Sequence, residues 1–105
     1  MSTYCVTFRI SEKTVGGKTY SERRAALYEN VRTKELGYWE ETTSFMLVES
    51  NLDTHAFAKK ACNGLSAEHD MVFIFDPADM SAAYFGAVEH PEVLKSFFPQ
   101  LKKVG

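Results

Sequence analysis

The stretch Met71-Val72-Phe73-Ile74-Phe75 is apolar at every position, and so is the earlier stretch Phe45-Met46-Leu47-Val48. Successive side chains of a strand point to opposite faces of a sheet, so a strand that is apolar throughout needs cover on both faces. Asp70 precedes the first stretch and Asp76-Pro77 closes it, as expected at the ends of a short buried strand. We therefore predict two central strands, over residues 44–49 and 71–75.

The residues before these strands predict a third strand and a helix. Apolar side chains recur at every second position of residues 4–10, the period of a half-buried strand. A flexible loop with Gly16-Gly17 follows, and then Thr19 and Glu22 have the spacing of a helix capping box. The predicted helix covers residues 20–35, and Gly37 ends it. Residues 38–41 form a hairpin with residues 44–49, or the two make one bent strand.

The rest of the chain predicts two further helices and a last strand. Asn51 or Asp53 can cap a second helix that ends near Gly64. Residues 81–87 are small and aromatic and are predicted to form a short strand. Pro91 suits the first turn of a final short helix, and Pro99 ends it.

This order of elements predicts an α+β fold. Two right-handed crossovers close a ferredoxin-like βαββαβ sandwich, in which an antiparallel sheet carries two helices on one face. A short extra C-terminal strand and helix follow. We expect a single domain over residues 1–105, with its core in residues 1–87 and a C-terminal helical segment over residues 88–105.

Two helices on one face leave the other face of the apolar strands without cover. A homodimer packed sheet to sheet would cover it. The alternative is that the C-terminal segment, which contains Tyr84, Phe85, Phe97 and Phe98, folds back over it within one chain.

The composition excludes several classes of protein. The chain has 105 residues, 45% of them apolar and 25% charged, as in an ordinary domain. Twelve basic and fourteen acidic residues give a net charge of −2, which argues against a protein that mainly coats nucleic acid or an anionic membrane. No apolar run approaches the roughly 20 residues of a membrane span. We expect a cytoplasmic protein with no membrane partner, in which Cys5 and Cys62 are buried, reduced thiols.

Several short motifs resemble those of one family. They are Tyr4-Cys5-Val6-Thr7-Phe8-Arg9-Ile10, Tyr20 at the start of a helix, Tyr38-Trp39, Thr43-Ser44-Phe45 with Val48, and Leu65 and Asp70 before the strand at 71–75. Over roughly residues 3 to 86 the chain resembles the SinR-like small proteins, which are related to the CRISPR-associated spacer-integration adaptor and similar in fold to the virulence-associated protein D toxins. The resemblance implies a ferredoxin-like homodimer whose last strand, here residues 81–87, often completes the partner's sheet.

The sequence departs from the adaptor family at one position that matters for activity. In that family an aspartate near the end of the first strand, in a Tyr-Asp pair, is the proposed magnesium ligand of a nuclease site. Phe8-Arg9 stands there in this chain. Arginine offers only donors and keeps its charge, so it does not bind a divalent cation. We therefore expect no catalytic residue and no cofactor. Arg9 can instead hold a phosphate or a carboxylate, or form an interface salt bridge with Glu49 or Asp76.

Basic residues are concentrated in the first loop and helix. The candidate binding residues are Arg9, Lys13, Lys18, Arg23 and Arg24, which a dimer would double into a surface that contacts phosphates. Acidic residues are interspersed, so an ordinary solvated helix is the alternative. The candidate dimer-interface residues are Thr7, Arg9, Met46, Tyr84 and Phe85.

The first functional hypothesis is a non-catalytic homodimeric binding or adaptor protein, which contacts nucleic acid or another protein. One alternative is a magnesium-dependent ribonuclease or toxin whose site is rebuilt from Asp76, Asp79 or Glu12, although a turn explains the two aspartates equally well. Another is a dimeric α+β barrel that acts on a small molecule, which requires a ligand-sized cavity between sheet and helices.

Overall fold

A computed structural model describes residues 1–105 and contains six strands and three helices. The strands are β1 (Ser2–Arg9), β2 (Tyr38–Trp39), β3 (Phe45–Ser50), β4 (Met71–Phe75), β5 (Ala82–Gly86) and β6 (Leu101–Val104). The helices are α1 (Tyr20–Val31), α2 (Thr54–Ala61) and α3 (Pro91–Phe97). None of the three helices has the length and apolar character needed to cross a bilayer.

All six strands belong to one sheet, in the order β2-β3-β1-β4-β5-β6. Four neighbouring pairs are antiparallel, and β5 and β6 are parallel. Thr7 of β1 lies opposite Phe45 of β3 on one side and Phe73 of β4 on the other, which sets the register of the centre. The predicted α+β class is confirmed, but the sheet is mixed because α3 connects β5 to a parallel neighbour.

The first face of the sheet packs against α1 and α2 around a cluster of 17 buried residues. Alternate residues of β1 enter this cluster, as the period of two predicts, and the ring of Tyr4 stacks on Phe57 of α2 at 4.4 Å between centroids. Leu27 and Val31 contribute from α1. The cluster fills the space in which the small-molecule hypothesis places its ligand.

Helix α1 begins at the predicted capping box and is shorter than predicted. The Thr19 hydroxyl accepts from the Glu22 amide, and the Glu22 carboxylate accepts from the Thr19 amide. The helix ends at Val31, not at residue 35, because Val31 is its last residue to reach the core and Arg32 is already extended. A tight turn follows, with Glu35 at a positive φ of 74°.

The predicted C-terminal helical segment, residues 88–105, contains a strand as well as α3. Leu101 and Val104 are buried, whereas Lys102 and Lys103 between them are exposed. Two adjacent lysines hide the alternation that identifies a strand in a sequence, so this element could only be recognised from its pairing with β5.

The second face of the sheet is covered over part of its width. Phe98, directly after α3, packs on Phe73 and Phe75 of β4 with 5.0 Å between ring centroids in each case. The C-terminal segment therefore folds back over β4, while Phe45 and Leu47 of β3 remain half-buried. Trp39 of β2 is 40% exposed and makes an edge contact with Phe45. We call the uncovered area, formed by Thr3, Trp39, Phe45 and Leu47, the open patch.

Candidate functional site

Arg23, one of the candidate binding residues, is buried and has no free donor. Its side chain is 1% exposed, and its Nε and Nη2 atoms donate to the Asp70 carboxylate at 2.9 and 3.3 Å. The remaining N–H groups donate to the carbonyl oxygens of Ser11, Lys13 and Lys18. All five N–H groups of the guanidinium therefore have partners within the chain, which leaves none for an external anion.

Asp70 completes this buried network. Its side chain is fully buried, and it accepts from the backbone N–H groups of Ser11 and Ser66 at 2.9 Å in addition to the two bonds from Arg23. The pair thereby ties together the loop after β1, helix α1 and the turn before β4. Leu27 lies four residues after Arg23, on the same helix face, and this spacing is the signal by which the burial of Arg23 could have been recognised.

The carboxyl of Asp70 is held in its charged form. Burial raises its pKa, but the hydrogen bonds from Arg23, Ser66 and Ser11 and the positive charge of Arg23 lower it by more, so the pKa lies below its ordinary value. The pKa values of the exposed carboxyls of Glu22 and Asp79 are also lowered, because these groups accept hydrogen bonds from Thr19 and Ser81 respectively.

We expect these lowered pKa values to make the protein sensitive to acid. A carboxyl whose pKa is lower in the folded state stabilises that state above its unfolded pKa of about 4, and the contribution is lost as the pH falls through the folded pKa. The urea midpoint should therefore fall steadily below about pH 4. An NMR titration of the Asp70 carboxyl carbon gives its pKa directly, and a value at or above about 3.9 would contradict the assignment.

Arg24 is committed to contacts within the chain. Its guanidinium lies over the ring of Tyr28 at 4.6 Å and donates to the Tyr28 hydroxyl and the Thr43 carbonyl. Lys13 and Lys18 are exposed on the loop that Arg23 anchors. The basic surface predicted for phosphate contacts is thus reduced by the loss of Arg23 and by the internal contacts of Arg24.

Arg9 lies on the second face of the sheet, at the end of β1, and is exposed. Within one chain Arg9 forms no salt bridge with Glu49 or Asp76: Glu49 accepts from the Gly37 amide at 2.6 Å, and Asp76 accepts from the Ala78 amide. An interface salt bridge to a second copy stays a prediction. Arg9 has neither a hydrogen bond nor an ion pair within the chain. It is therefore available to a ligand or a partner.

A groove of about 470 Å³ runs beside Arg9, between the second face of the sheet and α3. The floor is formed by Thr7, Met71 and Phe73, and the wall is formed by residues from β5 to the end of α3. These wall residues are Ala87, Val88, Glu89, His90, Val93, Leu94 and Phe97. None of them was singled out from the sequence as part of a site, because only the crossover from β5 to β6 brings α3 over this face.

Two of the five predicted interface residues lie in the core. Met46 is 1% exposed and Phe85 is 7% exposed, and both belong to the cluster under α1 and α2. They face α1 and α2, on the opposite side of the sheet from the open patch. Thr7, Arg9 and Tyr84 lie on the second face, where a partner could reach them.

Asp76 and Asp79 stabilise the turn between β4 and β5. Asp76 is buried and accepts from the Ala78 amide, and Asp79 accepts from the amide and hydroxyl of Ser81. The two aspartates do not belong to any group of three or more side chains suited to hold a metal ion. This geometry is the one expected of turn-capping aspartates.

Both cysteines are free and buried, as predicted. Burial raises the pKa of Cys62 to about 12, and burial together with the charge of Asp76 raises the pKa of Cys5. Both are protonated at neutral pH, which makes them poor nucleophiles.

Comparison with known proteins identifies no relative from which a function could be inferred. No family model, curated protein or solved structure matches the chain. The features available to a partner are the open patch, the groove beside Arg9 and the exposed lysines of the first loop.

Proposed function

We propose that the protein is a non-catalytic homodimeric binding protein of the SinR-like, adaptor-related kind, whose two copies pack through the second face of the sheet. The observation that carries the proposal is the open patch, where Phe45, Leu47 and Trp39 form a continuous apolar surface that the C-terminal segment leaves uncovered. An exposed aromatic side chain next to half-buried apolar ones is typical of interaction surfaces.

The strand order supports a ferredoxin-like core. The first four strands lie in the order β2-β3-β1-β4 with antiparallel neighbours, and α1 and α2 provide the two crossovers. This order supports the assignment of a βαββαβ sandwich to these elements. In this assignment β5, α3 and β6 are an extension on the side of β4, away from the open patch.

A second copy of the chain suits the open patch better than a charged partner does. An interface around a two-fold axis brings a surface against itself, so like charges on it would repel. Thr3, Trp39, Phe45 and Leu47 carry no charge, and Glu49, which pairs with Thr3 in the sheet, accepts a hydrogen bond from the Gly37 amide. The patch is therefore compatible with its own copy.

Arg9 supports the non-catalytic part of the proposal. It occupies the position at which the adaptor family carries its proposed magnesium-binding aspartate, and a guanidinium offers a metal no lone pair. Of the five candidate binding residues, Arg9, Lys13 and Lys18 are exposed. Nucleic acid is therefore a second partner to be tested, and the protein-protein contact is the primary one.

Light scattering of the wild-type protein tests the dimer. We expect a mass of about twice the 11.9 kDa of the chain. Leu47→Glu places a charge in the open patch and should weaken dimerisation at least about tenfold, since a buried apolar contact is replaced by an unpaired carboxylate. The matched control is Leu52→Glu, because Leu52 is 39% exposed in the loop before α2.

The control should remain a dimer, and circular dichroism should show both variants folded. A wild-type protein that stays monomeric at its highest soluble concentration would contradict the proposal. A Leu47→Glu variant that dimerises as well as the wild type would contradict the assignment of the interface to the open patch.

A further inference from the structure

We propose that the groove beneath α3 binds a small carboxylic acid with an apolar body, whose carboxylate is held by Arg9. The groove is lined by residues of one chain, so the site is complete without a second copy.

The first support is that Arg9 alone among the four arginines has no partner. Arg23 is bonded to Asp70, Arg24 lies over Tyr28, and Arg32 lies 4.4 Å from the ring of Tyr38 and pairs with Glu40. Arg9 makes none of these contacts, although its side chain lines the groove. A guanidinium left without a partner beside an apolar surface is a recognition group for an anion.

The second support is the shape and lining of the groove. Its volume of about 470 Å³ falls in the range of small-molecule sites. Met71 and Phe73 provide an apolar floor, and Val88 and Leu94 provide an apolar wall. No residue of α3 is itself buried.

The charges around the groove favour a carboxylate over a phosphate. Arg9 is the only lysine or arginine among the lining residues, and its planar fork matches the two oxygens of one carboxylate. Glu89 also lines the groove, and its charge repels a doubly negative group such as a phosphate monoester more strongly than a singly negative carboxylate. The Thr7 hydroxyl on the floor offers one additional donor near Arg9.

The test is an NMR titration of the ¹⁵N-labelled full chain with decanoate. We expect shift changes centred on the amides of Thr7, Arg9 and Val88. Arg9→Gln should weaken decanoate binding about tenfold or more, because a charge-assisted pair of hydrogen bonds is lost. Lys103→Gln is the matched control: it removes the same charge from the second face, away from the groove, and should bind decanoate as the wild type does.

Two further probes separate the parts of the proposal. Decanol, which has the same apolar body without the charge, should bind the wild type and Arg9→Gln equally. Decyl phosphate should bind no more tightly than decanoate, and tighter binding would overturn the choice of carboxylate. Decanoate shifts that do not involve the groove, or equal affinity for the wild type and Arg9→Gln, would overturn the site. Light scattering on the same samples keeps this result separate from the dimer, since either can fail alone.

Discussion

Asp70→Ala is expected to destabilise the folded protein by about 3 to 5 kcal/mol. The substitution leaves the Arg23 guanidinium buried without its counter-charge and removes the acceptor of the Ser11 and Ser66 amides. A chain of this size has a total stability of roughly 5 to 15 kcal/mol, so the variant should be folded only marginally. Urea unfolding followed by circular dichroism measures the difference directly.

A double-mutant cycle shows how much of the stability lost in Asp70→Ala is due to the unpaired, buried charge of Arg23. Arg23→Met combined with Asp70→Ala should be less destabilised than the sum of the two single variants, because neither charge is then left alone in the interior. Arg32→Gln is the matched control, since it breaks the solvent-exposed pair with Glu40 and should change stability by less than about 1 kcal/mol. Additive single and double variants would show that the pair is not coupled.

Gly86→Ala is expected to be the most damaging of the small substitutions. Gly86 ends β5 with a φ of +88°, and a Cβ atom there would lie 2.0 Å from the Asp70 carbonyl oxygen. That oxygen accepts from the Ala87 amide, so the backbone cannot move away without breaking a hydrogen bond. Strain and overlap together should cost at least about 3 kcal/mol of unfolding free energy.

Gly17→Ala separates the strain from the overlap. Gly17 has a φ of +79°, but its position is open, with no atom within 4 Å of the added Cβ. The unfolding free energy of Gly17→Ala should therefore fall by only the roughly 1 to 2 kcal/mol that a left-handed backbone costs a residue with a side chain. If Gly86→Ala unfolds at the same urea concentration as Gly17→Ala, the close approach between β5 and Asp70 is not rigid.

The fold was more accessible to sequence reasoning than the site. The core strands could be predicted because the apolar runs at 45–48 and 71–75 and the alternation at 4–10 are local patterns. Strand β6 could not, because Lys102 and Lys103 interrupt its pattern. Its place in the sheet depends on β5, which lies some twenty residues earlier.

The site depends on contacts that no local pattern contains. Arg23 and Asp70 are 47 positions apart, so their pairing appears only when α1 and the turn before β4 meet. For Arg9, the residue type indicates a candidate anion-binding side chain, but no local pattern indicates that α3 lies over the same face of the sheet. The burial of Met46 and Phe85 beneath the helices could not be predicted either, because a strand that is apolar on both sides does not indicate which residues meet the helices.

The central position of β1 also has a kinetic consequence. This strand lies in the middle of the sheet, yet both its partners come later in the chain: Thr7 pairs with Phe45, 38 residues on, and with Phe73, 66 residues on. The chain loses the entropy of closing these long loops before the strand pairs form and stabilise it. Folding should therefore be slower than in a helical bundle of equal length. Until β3 and β4 arrive, β1 is an unpaired apolar strand, and this interval is when the chain is most exposed to aggregation.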